Sequence, residues 1–256
     1  MKLIDTHSHL YLPEFNEDWD EVMARLMLAN VEKVLLPNVD VESIEWMKTT
    51  VSKAPNVFKP MMGLHPCSVK KETFTKDLEA IKNELFSGNY IAVGEIGMDL
   101  YWDKTTKDIQ EEALKMQCFW ANELRIPVAL HTRNATKEVV EIVKQLNLED
   151  LTGVFHCFGD GVEEAHQIID LGFKLGIGGV LTFKNSGLDK VLEKIDLEHL
   201  VLETDSPYLA PAPHRGKRNE SSYTFLVAQR LADVKQVNLN EVAEITTKNA
   251  QELFKI

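Results

Sequence analysis

Short apolar runs rich in β-branched residues alternate along the chain with longer segments whose apolar residues recur every three or four positions. The runs predict strands near residues 2–7, 33–38, 57–63, 90–95, 127–131, 153–157, 173–178 and 200–204. Helices are expected between them at 18–30, 42–53, 75–87, 106–124, 135–147, 161–171 and 187–195, with two more at about 221–235 and 239–254. EEALKMQCFWANELRI carries the stripe of a helix packed on a sheet. NLNEVAEITTKNAQELF carries a similar stripe, with Asn240 as its expected N-cap. Eight strands, each followed by a helix, predict an α/β chain folded as a (β/α)8 TIM barrel, one domain over residues 1–256. An open doubly wound sheet is the competing architecture, but it recruits only a few strand ends around one switch point. Here strands 1, 3, 4, 5, 6 and 8 all end in a polar residue suited to a site. Only a closed barrel gathers so many C-terminal ends around one axis.

The candidate chemistry lies at those ends. His7 and His9 sit in LIDTHSH, Glu95 in YIAVGEIG, His131 in IPVALHT, His156 in TGVFHC and Asp205 in LVLETD. Side chains alternate along a strand, so His7 and His9, two apart, point the same way. A lone HxH is more often a pair of surface histidines, and a lone His on an apolar run is more often a core residue. Four imidazoles and two carboxylates converging on one pocket are instead what one or two divalent transition metals need. Asp5 shares the parity of His7, and Glu203 that of Asp205, so both are expected to orient ligands from behind. Cys157 has the opposite parity to His156 and reads as a packed thiol. His166, His199 and His214 fall in helical, pre-strand or Pro-rich loop segments and receive no role.

Composition narrows the picture little: 44% hydrophobic and 27% charged residues are ordinary for a globular chain. The formal charge of −12 argues against a broad basic surface for coating duplex DNA. It leaves room for an anionic substrate at a pocket where bound metal and local basic residues set the field. The N-terminus reads as lacking a signal peptide, and no run approaches the roughly 18 apolar residues of a membrane span. The three cysteines form no CxxC motif or framework, which makes the cytoplasm the expected compartment. A monomer is expected.

The motifs DTHSHL, GLHP, GEIGMD, HTRNA, HCFGDG, GIGGVLTFKN and LETDSPYLAPAPHRGKRNES follow one another from first strand to last helices. In that order they resemble the TatD family of metal-dependent hydrolases, a branch of the amidohydrolase-like barrels. The resemblance implies two divalent ions, Mg²⁺ or Mn²⁺ or Zn²⁺, with Glu95 bridging them. His7, His9, Glu95 and Asp205 would hold one ion, and Glu95, His131 and His156 the other. Glu95, Asp205 and His65 are the expected catalytic residues, Asp205 accepting a proton from the attacking water. His65 is needed to complete neither ion, so a contact to phosphate is expected of it. Arg133 and the RGKR run, with Arg215, Lys217 and Arg218, are expected to bind substrate; such a run is more usually a solvated loop. Tyr101 and Trp102 would stack on a base or pack at the rim. The implied activity is a deoxyribonuclease trimming single-stranded DNA ends from the 3′ side. The alternative keeps the metals and changes the bond, to an ester or amide such as an aminoacyl ester on tRNA. A non-enzymatic barrel with a structural metal is a third reading, disfavoured because all six ligands are present.

Overall fold

Parallel strands buried on both faces must be apolar almost throughout, and the runs above meet that condition. In a computed structural model describing residues 1–256, they form eight parallel strands. These are β1 (Leu3–Asp5), β2 (Val31–Pro37), β3 (Phe58–Met61), β4 (Val93–Asp99), β5 (Val128–Arg133), β6 (Gly153–Phe155), β7 (Lys174–Ile177) and β8 (Leu200–Leu202). The helices are α1 (Trp19–Leu28), α2 (Ser43–Lys53), α3 (Phe74–Ser87), α4 (Lys107–Leu124), α5 (Thr136–Leu146), α6 (Val162–Asp170), α7 (Leu188–Leu192), α8 (Thr224–Lys235) and α9 (Leu239–Phe254).

Regular pairing runs β1-β2-β3 and β4-β5-β6-β7-β8, and hydrogen bonds close both gaps. Between β3 and β4, Ile91 N–H donates to Pro60 O, Met62 N–H to Ala92 O and Gly94 N–H to Met62 O, each at 3.1 Å. Pro60 has no N–H to give, so one rung is missing and the ladder there is irregular. Between β8 and β1, Thr6 N–H donates to Leu202 O at 2.9 Å and Asp205 N–H to His7 O at 2.9 Å. The result is the expected TIM barrel.

A core of 55 buried residues lies between strands and helices. A separate set of nine fills the barrel itself: Ile4, Leu35, Met61, Ala92, Ala129, Val154 and Val201, with Ala250 and Phe254 of α9 closing the lower end. The lower end is therefore sealed by packing, which leaves the upper end for chemistry.

Several boundaries differ from expectation. β4 continues through Asp99 and β5 through Arg133, so Glu95 and His131 lie within strands rather than at their ends. β6 stops at Phe155, one residue before His156. α7 is only five residues long, and a 3-10 turn, Ser221–Tyr223, takes the place of the first turn expected of α8. The cap of α9 is Asn238, whose side-chain oxygen accepts from Glu241 N–H at 2.9 Å, and Asn240 lies in the first turn. Asn238 with Glu241 three residues on is the better cap because the two have capping-box spacing.

Candidate metal centre

Glu95 is the middle of the upper end. Its carboxylate is almost fully buried, yet five imidazole nitrogens lie within 3.5 Å of it. The two oxygens face different ways. Oε2 lies 3.1 Å from His7 Nε2 and 3.5 Å from His9 Nε2, and both nitrogens are near Asp205 Oδ1, at 3.9 and 3.6 Å. Oε1 lies 2.8 Å from His131 Nδ1, 2.8 Å from His156 Nε2 and 3.3 Å from His65 Nε2. The His7 and His156 rings stack between the two halves, centroids 3.8 Å apart and nearly parallel. Three groups of three potential ligands share this space: His7, His9 and Glu95; His7, His156 and Asp205; His65, Glu95 and His131. All six residues expected to hold metal are thus brought together. Side-chain exposure is 12–15% at His65, His131 and Asp205 and at most 4% at the others, so the centre opens over those three.

Three of the five imidazoles, His9, His131 and His65, are oriented by a hydrogen bond at the far nitrogen, whereas Nδ1 of His7 and of His156 is buried without one. The partners of His9 and His131 were not foreseen from the sequence. Tyr11 Oη donates to Pro37 O at 2.7 Å, so at 2.9 Å it accepts from His9 Nδ1–H. That tautomer leaves the Nε2 lone pair of His9 facing the centre. Asp99 Oδ2 lies 3.0 Å from His131 Nε2, which presents the Nδ1 lone pair inward in the same way. His65 is the reverse case. Its Nδ1 accepts from Cys67 N–H at 3.0 Å, so the neutral ring carries its proton on Nε2 and points a donor at the centre. Although His65 falls in a ligand-sized group with Glu95 and His131, that proton fits it to contact an anion and not to hold a cation.

Charge follows the same arrangement. Burial resists ionisation of Glu95, but His65, His156 and His7 outweigh it and hold the carboxyl well below the usual range. Burial keeps His7 and His65 below the ordinary imidazole value, hence neutral near pH 7. Against the pull of burial, Tyr11, Asp205 and Glu95 hold His9, and Asp99, Glu95 and Glu203 hold His131 and His156, above the ordinary value. A divalent ion entering this set of buried carboxylate and imidazole donors would therefore displace their protons.

The expected supporting residues divide. Glu203 is fully buried, accepts from Cys157 N–H at 2.6 Å and faces His156 Nδ1 at 3.6 Å. Gly176 of β7 makes room for it, since a Cβ there would lie 2.2 Å from Glu203 Oε2. Asp5 does not reach the His7 ring. It accepts instead from the backbone N–H of His7 and Thr204 and from the Thr204 hydroxyl, so it joins β1 to the end of β8. Asn38, unnoticed in the sequence, ties β2 to the β3–β4 corner through Gly63 O and through backbone bonds with Gly94 and Glu95.

The basic residues divide too. Arg133 is exposed, its guanidinium 4.0 Å from the Tyr101 ring centroid. Arg215 and Lys217 are exposed, Arg215 lying over Phe183. Arg218 is engaged: it donates twice to Asp18, at 2.7 and 2.6 Å, and so tethers the loop after β8 to the start of α1. Tyr101 and Trp102 are exposed beside Arg133. No helix is long and apolar enough to cross a membrane, and the three cysteines are unpaired.

Comparison with known proteins finds metal-dependent hydrolases. The model of the family described as TatD related DNase matches residues 4–255. An uncharacterized metal-dependent hydrolase of Bacillus subtilis, YabD, is 37% identical over 255 residues, covering 99% of each chain. YcfH of Escherichia coli, also an uncharacterized metal-dependent hydrolase, is 34% identical over 260 residues, covering 100% of this chain and 97% of its own. Among solved structures, the Escherichia coli TatD homologue YjjV superposes with a TM-score of 0.92 at 28% identity, covering 99% of this chain and 98% of that one. The chain belongs to the TatD family of metal-dependent hydrolases.

Proposed function

We propose that the protein is a metal-dependent phosphodiesterase that removes nucleotides from the 3′ end of single-stranded DNA. The observation that carries the reading is the two-sided carboxylate of Glu95, with His7, His9 and Asp205 around one oxygen and His131 and His156 around the other. Those two sets would hold two divalent ions; mixed imidazole and carboxylate donors suit Zn²⁺, Mn²⁺, Fe or Co, and Mg²⁺ more weakly. Bound there, the ions supply Lewis acidity that activates water and offsets charge on a phosphoryl group.

The chain's own residues complete the chemistry. Asp205, at the open edge of the centre, accepts the proton of the attacking water. His65 donates its Nε2 proton to a phosphoryl oxygen, the role its tautomer prepares. Arg133, two residues beyond His131 and exposed, pairs with the phosphate from outside. Arg215 and Lys217 add positive charge at the mouth of an otherwise acidic chain. These donors favour phosphoryl over carbonyl transfer.

The test is digestion of a 5′-labelled single-stranded oligonucleotide by chelator-treated protein, before and after Mg²⁺ or Mn²⁺ is restored. A metal-dependent ladder shortening from the 3′ end is expected, with His65→Ala retaining metal but slowed about 100-fold or more. Absence of cleavage by metal-loaded protein would turn attention to aminoacyl-tRNA esters.

A further inference from the structure

Next to the Oε1 side of the centre lies a cleft of about 380 Å³, walled by Trp102, Cys67, Lys70 and Lys71, with Asp99 and Gln110 behind them. That volume is in the range of small-ligand sites. One carboxylate joins the cleft to the centre: Asp99 Oδ2 lies 3.0 Å from His131 Nε2, and Asp99 Oδ1 accepts from the N–H groups of Tyr101 and Trp102 at 2.9 and 3.0 Å. The aromatic pair is therefore held at a set position relative to a residue of the metal centre. Its rings nevertheless face water, Trp102 being 68% and Tyr101 53% exposed. Packing against the core does not account for so much open ring surface, whereas a stacking partner would cover it. The Arg133 guanidinium lies over Tyr101 and 5.2 Å from the Trp102 centroid, a stacked placement that leaves its N–H edge free for phosphate. Of the cleft's three acidic side chains, Glu72 is exposed, and the other two are engaged elsewhere. Asp99 is bonded as described, and Asp103 accepts from Thr105 N–H and Oγ1, both at 2.7 Å. Lys70 and Lys71 stand exposed on the opposite wall.

We infer that this cleft receives the nucleotide adjoining the scissile phosphate, its base stacked on Trp102 and its outer phosphate met by Arg133, Lys70 and Lys71. The inference rests on the phosphodiesterase reading above. Stacking on an indole tolerates any base, because every base has a π-face. Cleavage is therefore expected to depend on the presence of a base at this position and little on its identity.

The test pairs two substrates with three proteins. One oligonucleotide is intact, and its twin carries tetrahydrofuran abasic residues at its last two 3′ positions. Wild-type protein with Mn²⁺ is expected to cleave the intact strand roughly ten-fold more efficiently in kcat/KM. Trp102→Ala is expected to lose about that factor on the intact strand and nothing further on the abasic one. Trp102→Phe, which keeps a ring, should restore most of the discrimination. Equal cleavage of the intact strand by wild type and Trp102→Ala would overturn the inference. So would an equal loss on both substrates, which would mark Trp102 as structural. If wild type cleaves neither strand, the phosphodiesterase reading itself fails and takes this subsite with it.

Discussion

The two ends of the barrel interior are built on the same strands and have opposite chemistry. At the lower end Ile4, Met61, Ala92, Ala129, Val154 and Val201 pack against Phe254. Two to four residues further along the same segments stand His7, His65, Glu95, His131, His156 and Asp205. The lower layer gains by excluding water, and nothing in it titrates. The upper layer crowds five imidazoles around one buried carboxylate, an arrangement that no stability argument favours without a cation. Depth along a strand thus separates folding from function, as barrels generally place reaction at the C-terminal face.

The separation is tested most strongly by Glu95→Ala. With both halves of the centre losing their shared ligand, turnover is expected to fall about a thousand-fold or more. Thermal melting should stay within a few degrees of wild type, because no apolar packing is removed. Turnover near wild type would show that Glu95 bridges nothing. The converse substitution is Phe254→Ala at the lower end. Emptying that plug should cost about 3–5 kcal/mol in denaturant unfolding, while metal content per folded molecule, measured by elemental analysis, is unchanged. A Phe254 variant that folds well but loses metal would break the division between the layers.

Asp99→Asn probes the border of the upper layer. An amide accepts more weakly than a carboxylate from His131 Nε2–H, so the ring is less well oriented and less basic. Metal affinity is expected to drop about 10–100-fold, seen as a rightward shift of activity against Mn²⁺ concentration. An unchanged metal dependence would mean that Asp99 serves only the Tyr101–Trp102 turn.

How much of this was legible in the chain follows from which forces are local. Alternation and apolar runs announced eight strands and the six converging residues, because parity and hydrophobicity are properties of short stretches. Register was less legible. Ala129 to His131 and Val154 to His156 keep the two-residue step, but Ala92 to Glu95 takes three, across an irregular stretch of β4 between Val93 and Ile96. Asp99 was hidden for the same reason: β4 was taken to end at Glu95, so a residue four further on, past Gly97, was not placed on the same face. Gly97 itself has φ of 140°, and a Cβ there would lie 2.1 Å from His131 O, so β4 and β5 approach too closely for any side chain. Tyr11 lies only two residues from the His9 it orients, but the bond that makes its hydroxyl an acceptor goes to Pro37, 26 residues away. Asn38 acts through Gly63, 25 residues away, and no local pattern reports either. Arg218 is the instructive case at the rim, since a basic run near the mouth gave no sign that one member is engaged by Asp18, 200 residues earlier.

The smallest effect expected concerns that engaged arginine. Asp18 accepts from both Arg218 and Arg25, and Arg25 also binds Glu220, so the loop after β8 is fastened to α1 by a small ionic network. Hydrogen bonding to Arg218 pulls the Asp18 carboxyl down to about 2, against about 3.9 for an unfolded aspartate. A depressed carboxyl stabilises the fold above its unfolded value and loses that contribution as pH falls toward the folded one. Wild type should therefore lose melting temperature between pH 4 and pH 2 more steeply than Arg218→Ala, and the two curves should converge near pH 2. The gap at pH 7 should be about 1 kcal/mol or less, because roughly a third of these side chains faces water. Oligonucleotide cleavage by Arg218→Ala at pH 7 should stay within about two-fold of wild type if the residue is only a tether. A ten-fold loss of cleavage with melting unchanged would return Arg218 to the substrate-binding role that its place in the RGKR run suggests, and would extend the functional layer beyond the strands into the loop.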